Sequence, residues 1–570
     1  MWSHRGRTSW LLARRSFVGI MLVGICWGCS GETVIESTGG NSETAAGRKN
    51  RRDDVLKTLV EMSQPESLLI VTKHATVVSL LNDWVSMGGE LDQQEEPVSK
   101  VYVDRLDQSL VDRIKGSRFS KRDVTHIRDG LWYARISTLV ASAADTDLER
   151  ATRLFFYVTR NIVLRSEEDS TLPLAPFGVA MFGEGNPRDR AWLFVNLLRQ
   201  LRIDAVVLQA KESPENVLVG VLLGGKVYLY DPELGLPVLT LEGDGTAGAI
   251  DRPATLSEAA KNPKVFAAMS ASSDTPYPFT ATSLGEARVL LVGATSFWSA
   301  RMRRLQLALS SENNVLLWQP LDKSDIVPEG VLSRVAKVKA DGFQEASIGI
   351  WDYPEQRLDG NVAFNTTQLQ LFALRSRAFE SPIPILNILS DRETQEIQLD
   401  IAERGEFRHR KARNRQLLGE WKSVVTTYLK VRMWRDVPPL PKEMRFIERH
   451  EQRAFKALLP TRVRLVHAEA ADDAAFWAAV CQYEQGRVES AAEALRDYME
   501  HTGAHEWESG AVWLEGVWRG ELQQWDKAVK LLQSIPDDDP HWAGAQVLVA
   551  RWAPLAEKAT ESDSPSGAAK

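Results

Sequence analysis

The sequence predicts a multidomain α+β protein that ends in an all-α helical repeat. Three observations carry this. The chain has 570 residues, several times the about 100–200 residues of a typical domain. Between residues 147 and 240 the apolar spacing runs helix, loop, helix and then three strands, the order of an α+β unit. Residues 474–545 carry a degenerate repeat at helical spacing, the mark of a solenoid. Hydrophobic residues make up 44% and charged residues 25%, so neither a disordered chain nor a multi-span membrane protein fits. With 69 Lys and Arg against 76 Asp and Glu, the net charge of -7 argues against a protein that grips nucleic acid phosphates.

Residues 1–29 read as an address. Arg5, Arg7, Arg14 and Arg15 make the first 16 residues basic, Phe17 to Gly28 are apolar or small, and the chain turns polar from Ser30. That layout is a secretory signal. The apolar run is short of the about 20 residues needed to cross a bilayer, so cleavage or lipid anchoring is expected rather than spanning. The run ends Ile25-Cys26-Trp27-Gly28-Cys29-Ser30, which resembles the lipobox of bacterial lipoproteins, although Cys26 and Trp27 stand where an aliphatic and a small residue are usual. The resemblance implies that Cys29 is acylated and anchors the chain to a membrane on the exported side; a discarded signal cysteine is the alternative. Arg14-Arg15-Ser16-Phe17-Val18 also resembles a twin-arginine export motif, which leaves the export route open. Residues 30–54, poor in large apolar groups, are expected to be a flexible tether.

From 55 to 146 the segments VLKTLVEM, ATVVSLLNDWV and HIRDGLWYARISTLVASA space their apolar residues as helices. Asp104, Arg105, Asp107, Asp112 and Arg113 are read as solvated faces of that helical region. The unit at 147–240 then runs DLERATRLFFYVTRNIV (helix), PLAPFGVAMFGEGNPRD (loop), RAWLFVNLLRQLR (helix), and DAVVLQA, VLVGVLLG and KVYLYDP (strands). Gly224-Gly225 is a two-residue hairpin signal between the last two strands.

Within this unit Gly183-Glu184-Gly185-Asn186-Pro187-Arg188-Asp189-Arg190-Ala191, then Leu197-Leu198-Arg199 through Asp204-Ala205, then Tyr228-Leu229-Tyr230-Asp231-Pro232 resemble the transglutaminase-like domain, a papain-related fold. The resemblance implies a cysteine opening the second helix, a histidine base on the following strands and an aspartate that orients the histidine. Laid on that pattern, the nucleophile position falls on Pro187, the histidine position near Asn216, and the aspartate on Asp231. No cysteine lies between Cys29 and Cys481, and no histidine between His126 and His409. Proline carries no nucleophile and asparagine cannot take and return a proton near neutral pH. The expectation is a degenerate domain with no catalytic residue, in a protein that binds or scaffolds. The alternative is a peptidase, amidase or acyltransferase with a rearranged site, in which Asp189, Asp231 or Glu184 form a carboxylate pair. Asp189 at a helix start and Asp231 before Pro232 are also explained by the helix dipole and by turn formation.

Residues 241–284 read as a connecting region, with LEGDGTAGAIDRPAT and ASSDTPYPFTATS as loops. Residues 285–435 read as a second mixed α/β region of unrecognised family. ARVLLVGA, NNVLLWQPL and ASIGIWDYP are its strands, and FWSARMRRLQLAL and TTQLQLFALRSRAF its helices. It contains no phosphate loop, dinucleotide turn or metal cluster, so no cofactor is implied. Asn365-Thr366-Thr367 satisfies a glycosylation sequon and is set aside. The stretch GEFRHRKARNRQLLGEWKSVVTTYLKVRMW, with His409, is a basic helix whose charges suit an acidic partner or lipid head groups, or simply solvent. Asp436 to Pro441 is a stiff linker.

Residues 436–555 hold the repeat. Ala478, Tyr483, Gly486, Ala491, Leu495 and Tyr498 form one copy, and Gly516, Trp525, Ala528, Leu532, Ile535 and Pro540 the next. This resembles the tetratricopeptide repeat, with small residues at the seam and Pro540 ending the second helix. ERHEQRAFKALL and AGAQVLVARW are expected to complete the stack. Such a solenoid implies a protein or peptide partner, and a packing module that binds nothing is its rival. Nine of the 18 tryptophans lie between Trp421 and Trp552 and are read as mainly structural. His467, His501, His505 and His541 are read as surface residues without metal partners. Residues 556–570 are expected to be a disordered tail.

Overall fold

The structure is a computed structural model. It describes residues 45–69, 72–88, 99–165, 175–240, 252–309, 315–324, 327–338, 343–359, 370, 383–390, 397–404, 409–437, 448–501 and 506–563. Cys26, Cys29, the two export motifs, the helix expected at TTQLQLFALRSRAF apart from Gln370, most of the Asp436–Pro441 linker and His505 lie outside these residues. The chain divides into two units, 1–50 and 51–570.

A helix, α1, covers Ala45–Met62, so the last ten residues of the expected tether are helical, a correction. In the larger unit the N-terminal region is helical as read: α2 (Thr72–Met87), α3 (Gln108–Lys115) and α4 (Lys121–Ala141). Its charged residues are less free than the reading allowed. Arg113 pairs with Glu355 and Asp359, and Arg105 donates to the carbonyl of Ile348.

The next stretch runs α5 (Asp147–Asn161), β1 (Val163–Leu164), α6 (Pro176–Phe182), β2 (Glu184–Gly185), α7 (Pro187–Gln200), β3 (Ala205–Gln209), β4 (Val217–Leu223), β5 (Lys226–Asp231) and β6 (Leu236–Pro237). The Pro/Gly-rich loop thus hides a helix. Pro176 starts it at a position that needs no N–H, and Phe177, Val179, Ala180 and Met181 drive it into the core. Gly224 and Gly225 both take positive φ, and β4 and β5 pair antiparallel, as the hairpin signal requires.

The sheet has six strands, because β7 (Arg288–Leu291) adds antiparallel to β3, and β8 (Ile348–Ile350) adds parallel to β7. The order is β6-β5-β4-β3-β7-β8. Strands expected in a separate region therefore complete the first domain's sheet. Alternation sorts its faces: Val207, Val219, Val221 and Tyr230 pack with α5 and α7, and Val206, Leu208, Leu218, Val227 and Leu229 pack with Val238, Leu256, Phe266 and Phe279. The supposed connecting region, in its described part, is the cover of that second face.

NNVLLWQPL is not a strand where it is described. Val315–Trp318 is buried but irregular, and side-chain amides replace a strand partner. Gln200 bonds both the N–H and the carbonyl of Leu316, and Gln306 bonds the carbonyl of Val315 and the N–H of Leu317. Buried backbone polar groups must be paired, and here glutamine does it. Gln306 belongs to α8 (Ala300–Leu309), and α9 spans Tyr353–Asp359. A separate hairpin joins β9 (Ile383–Ser390) to β10 (Ile397–Arg404).

The basic stretch forms two helices, α10 (His409–Leu417) and α11 (Trp421–Arg432), broken at Gly419 with φ 90°. After α12 (Arg449–Leu458) the solenoid runs α13 (Thr461–Glu484), α14 (Val488–Glu500), α15 (Glu508–Glu521), α16 (Trp525–Gln533) and α17 (Trp542–Asp563). Residues 556–563 of the expected tail belong to α17. Pro536, not Pro540, follows the end of α16.

Candidate functional site

The three positions matched to a catalytic triad gather at one end of the sheet. Pro187 is the first residue of α7, whose N-cap is Asn186. Asp231 ends β5. Register pairs Val219 with Tyr230, so Asn216, just before β4, lies beside the same end. The first turn of α7 reaches that end through Arg190, whose Nη1 donates to the carbonyl of Pro232 at 3.0 Å.

The acids named for a carboxylate pair are each committed to structure. Asn186 and Asp189 exchange bonds in a capping box, at 3.0 and 3.1 Å, which satisfies donors the helix leaves open. Asp189 also accepts from Tyr353 Oη and Arg357 Nη2, both at 2.8 Å, and the Arg188 guanidinium lies over the Tyr353 ring. The mouth of α7 is thereby closed by α9. Asp231 Oδ1 accepts from the N–H groups of Glu233 and Leu234 at 2.8 and 2.9 Å, an Asx turn. Its Oδ2 accepts from Tyr277 Oη at 2.5 Å. Burial pushes this carboxyl up to about 6 against the pull of those bonds. Glu184 pairs at 3.5 Å with Arg165. Asp189 and Asp231 thus sit in separate networks with different partners.

Arg190 is fully buried and bonds backbone carbonyls of Thr159, Ile162 and Pro232; burial lowers its pKa to about 9. The carbonyls and the neighbouring Asp231 offset a cost that an uncompensated buried charge could not meet.

The same end of the domain is capped by the solenoid. Gly183, in a left-handed conformation, lies against Trp477 of α13, and Gly510 of α15 lies against Val163. Gly544 of α17 meets the carbonyl of Leu234. Arg160 pairs with Glu484 at 3.1 Å, and Arg165 with Glu506 at 2.6 Å. Arg413 of α10 donates to Ala180 and Asn161 while stacking over Trp477 at 3.3 Å. The first helices of the repeat pairs, α13, α15 and α17, therefore face the chain's own body. A cavity of about 380 Å³ remains at this seam, lined by Phe156, Arg160, Tyr483, Trp513, Trp518 and Trp552 among others.

One cluster that sequence reading missed lies in the seam. His541 Nδ1 is 2.9 Å from Ser509 Oγ and 3.2 Å from Asp539 Oδ1. The trio is not a working triad. His541 Nε2 accepts the N–H of Leu164 at 3.3 Å, so Nδ1 carries the proton of the neutral ring, and Ser509 donates to Asp539 rather than to a base. His541 and His467 are buried, not at the surface as expected. His409, also buried, bonds Asp473 at 3.1 Å, and Asp473 accepts from Trp507 as well. Among the described residues no group of three His, Cys, Asp or Glu side chains is placed to hold a metal, and no helix is long and apolar enough to cross a membrane. Cys481 is buried.

Seven of the repeat's signature residues are buried: Ala478, Ala491, Leu495, Tyr498, Ala528, Leu532 and Ile535. A Cβ on Gly516 would come within 2.7 Å of Leu532, so the close approach of α15 and α16 requires glycine. This is a helical-hairpin repeat module of the kind used for protein–protein contact. Residues 473–501, most of the first copy, match the tetratricopeptide repeat family. No curated protein and no solved structure matches the chain.

Proposed function

We propose that this is an exported envelope protein, anchored through an acylated Cys29, whose transglutaminase-like domain is catalytically degenerate and which works by binding or scaffolding. One observation carries the loss of chemistry. The positions matched to the thiol and the imidazole hold Pro187 and Asn216, and the surviving Asp231 is bonded to Tyr277 where it would orient a histidine. The repeat supports a role in protein contacts. Because the body packs against the inner face of the solenoid and leaves a cavity of about 380 Å³ there, a partner displaces that contact, enters the cavity or uses the outer surface of the repeat.

The test is mass spectrometry of glutamine-bearing and wall-derived peptides, incubated with the full chain and a primary amine, with Asp231→Ala as control. Unchanged peptides are expected. Cleavage or cross-linking that the substitution abolishes would restore an enzyme. Metabolic labelling with a fatty acid, comparing Cys29→Ser with the parent chain, tests the anchor separately; no label on the parent refutes it.

A further inference from the structure

The chain is acidic overall, yet its positive charge is concentrated where α10, α11, α12 and the start of α13 meet. Residues 409–437 and 448–464 carry thirteen Lys and Arg against four Asp and Glu; Arg413 among them is buried, and Arg415 and Arg435 pair with Glu420 and Asp472. The same helices show unusual apolar exposure. Six large hydrophobic side chains stand out as exposed among the described residues, and four of them are here: Leu429, Met433, Leu458 and Leu465.

The groups at the end of α11 adjoin α12. Arg432, Met433 and Arg435 line one polar cavity of about 240 Å³ together with Arg453 of α12; Asp436 and Asp497 are the acids in its wall. Lys456, one turn beyond Arg453, feels Arg435 and Arg464 as neighbouring charges, along with Asp436. Leu429 precedes Arg432 and Met433 by one helical turn, so the three share a face. Exposed Leu458 ends α12, and Arg462 and exposed Leu465 lie one turn apart in the first turns of α13. Exposed Leu and Met interleaved with Arg and Lys is the composition of an interfacial surface. The apolar groups enter the head-group boundary while the cations meet phosphates.

We propose that this face docks on an anionic lipid surface. Charge complementarity selects that occupant, since outside this stretch and the basic first 16 residues the chain is net acidic and would be repelled. The inference does not depend on the acyl anchor.

The experiment is sedimentation of the full chain carrying Cys29→Ser, so that no acyl chain contributes, with vesicles of phosphatidylcholine alone or mixed with phosphatidylglycerol. Binding is expected to rise with phosphatidylglycerol and fall with salt. Each Arg at the surface contributes about fivefold, so Arg432→Gln with Arg453→Gln is expected to weaken binding about 25-fold. The remote pair Lys226→Gln with Lys264→Gln is expected to change it less than about twofold. Equal binding to both vesicle types, or equal binding by the Arg432/Arg453 variant and its parent, overturns the proposal. Retention on immobilised polyglutamate without vesicle binding overturns it too and assigns the face to an acidic protein.

Discussion

Gly183 offers a direct test of how the repeat is fastened to the body. It ends α6 at φ 77°, and a Cβ there would lie 2.1 Å from Trp477 Cζ2, 2.5 Å from Cη2 and 3.2 Å from Trp507 Cη2. Trp477 has no room to retreat: its ring lies under the Arg413 guanidinium and edge-on to Phe476 and Trp507. For Gly183→Ala the left-handed backbone costs about 1–2 kcal/mol and overpacking adds about 1–3 kcal/mol. Urea unfolding of the full chain should therefore show a loss of about 2–5 kcal/mol. Trp477→Ala alone should cost about 3–5 kcal/mol through the cavity it leaves. In the double variant the added methyl enters that cavity, so only the backbone cost of alanine remains. The sum of the single effects should then exceed the measured double effect by about 1–3 kcal/mol. Additivity within about 0.5 kcal/mol would refute the contact.

Three further outcomes follow from buried groups. Burial raises Asp231 from 3.8 to about 6 in the folded chain, so the fold holds that proton more tightly than the unfolded chain, and its contribution to stability falls as pH rises between those values. Asp231→Asn should flatten this part of the stability profile; parallel profiles for variant and parent would refute it. Burial lowers His541 below its ordinary 6.5 while its Nε2 serves as acceptor for Leu164. Its contribution is therefore intact above pH 6.5 and lost on acidification, as unfolded imidazole takes up a proton. His541→Gln, which can still accept that N–H, should reduce the acid sensitivity of the urea midpoint, and an unchanged sensitivity would count against the seam geometry. Burial pushes the Cys481 thiol well above the usual range, so peptide mapping after thiol labelling should find Cys481 unmodified in the native chain and modified only in denaturant; rapid native labelling would contradict its position.

Much of the local structure was legible in the sequence because it depends on neighbours in the chain. The hairpin at Gly224-Gly225 follows from two glycines able to take positive φ, and the helices of 55–146 from apolar spacing. The turn role of Asp231 follows from Pro232 and the N–H groups two and three residues on. The candidate site was half legible. Its Pro187, Asn216 and Asp231 could be placed by order along the chain, but Tyr277 and Arg357, which occupy the acids, lie 46 and 168 residues from them, and no short-range signal names them. The short helix at Pro176 was missed because a Pro/Gly-rich run reads as loop unless burial of Phe177 and Met181 is known.

By itself the sequence determined that no thiol or imidazole stands at the matched positions of the domain, that the C-terminal third carries a helical repeat, and that positive charge is concentrated just before it. These are properties of residue identity and spacing, which no packing can alter. Only the tertiary structure decided that β7 and β8 complete the domain's sheet, that glutamine side chains stand in for a strand partner at Val315–Leu317, and that the repeat's inner face is closed by the chain's own body. Each of those depends on which distant surfaces bury their apolar area and satisfy their backbone groups against one another, a choice made among all segments of the chain at once.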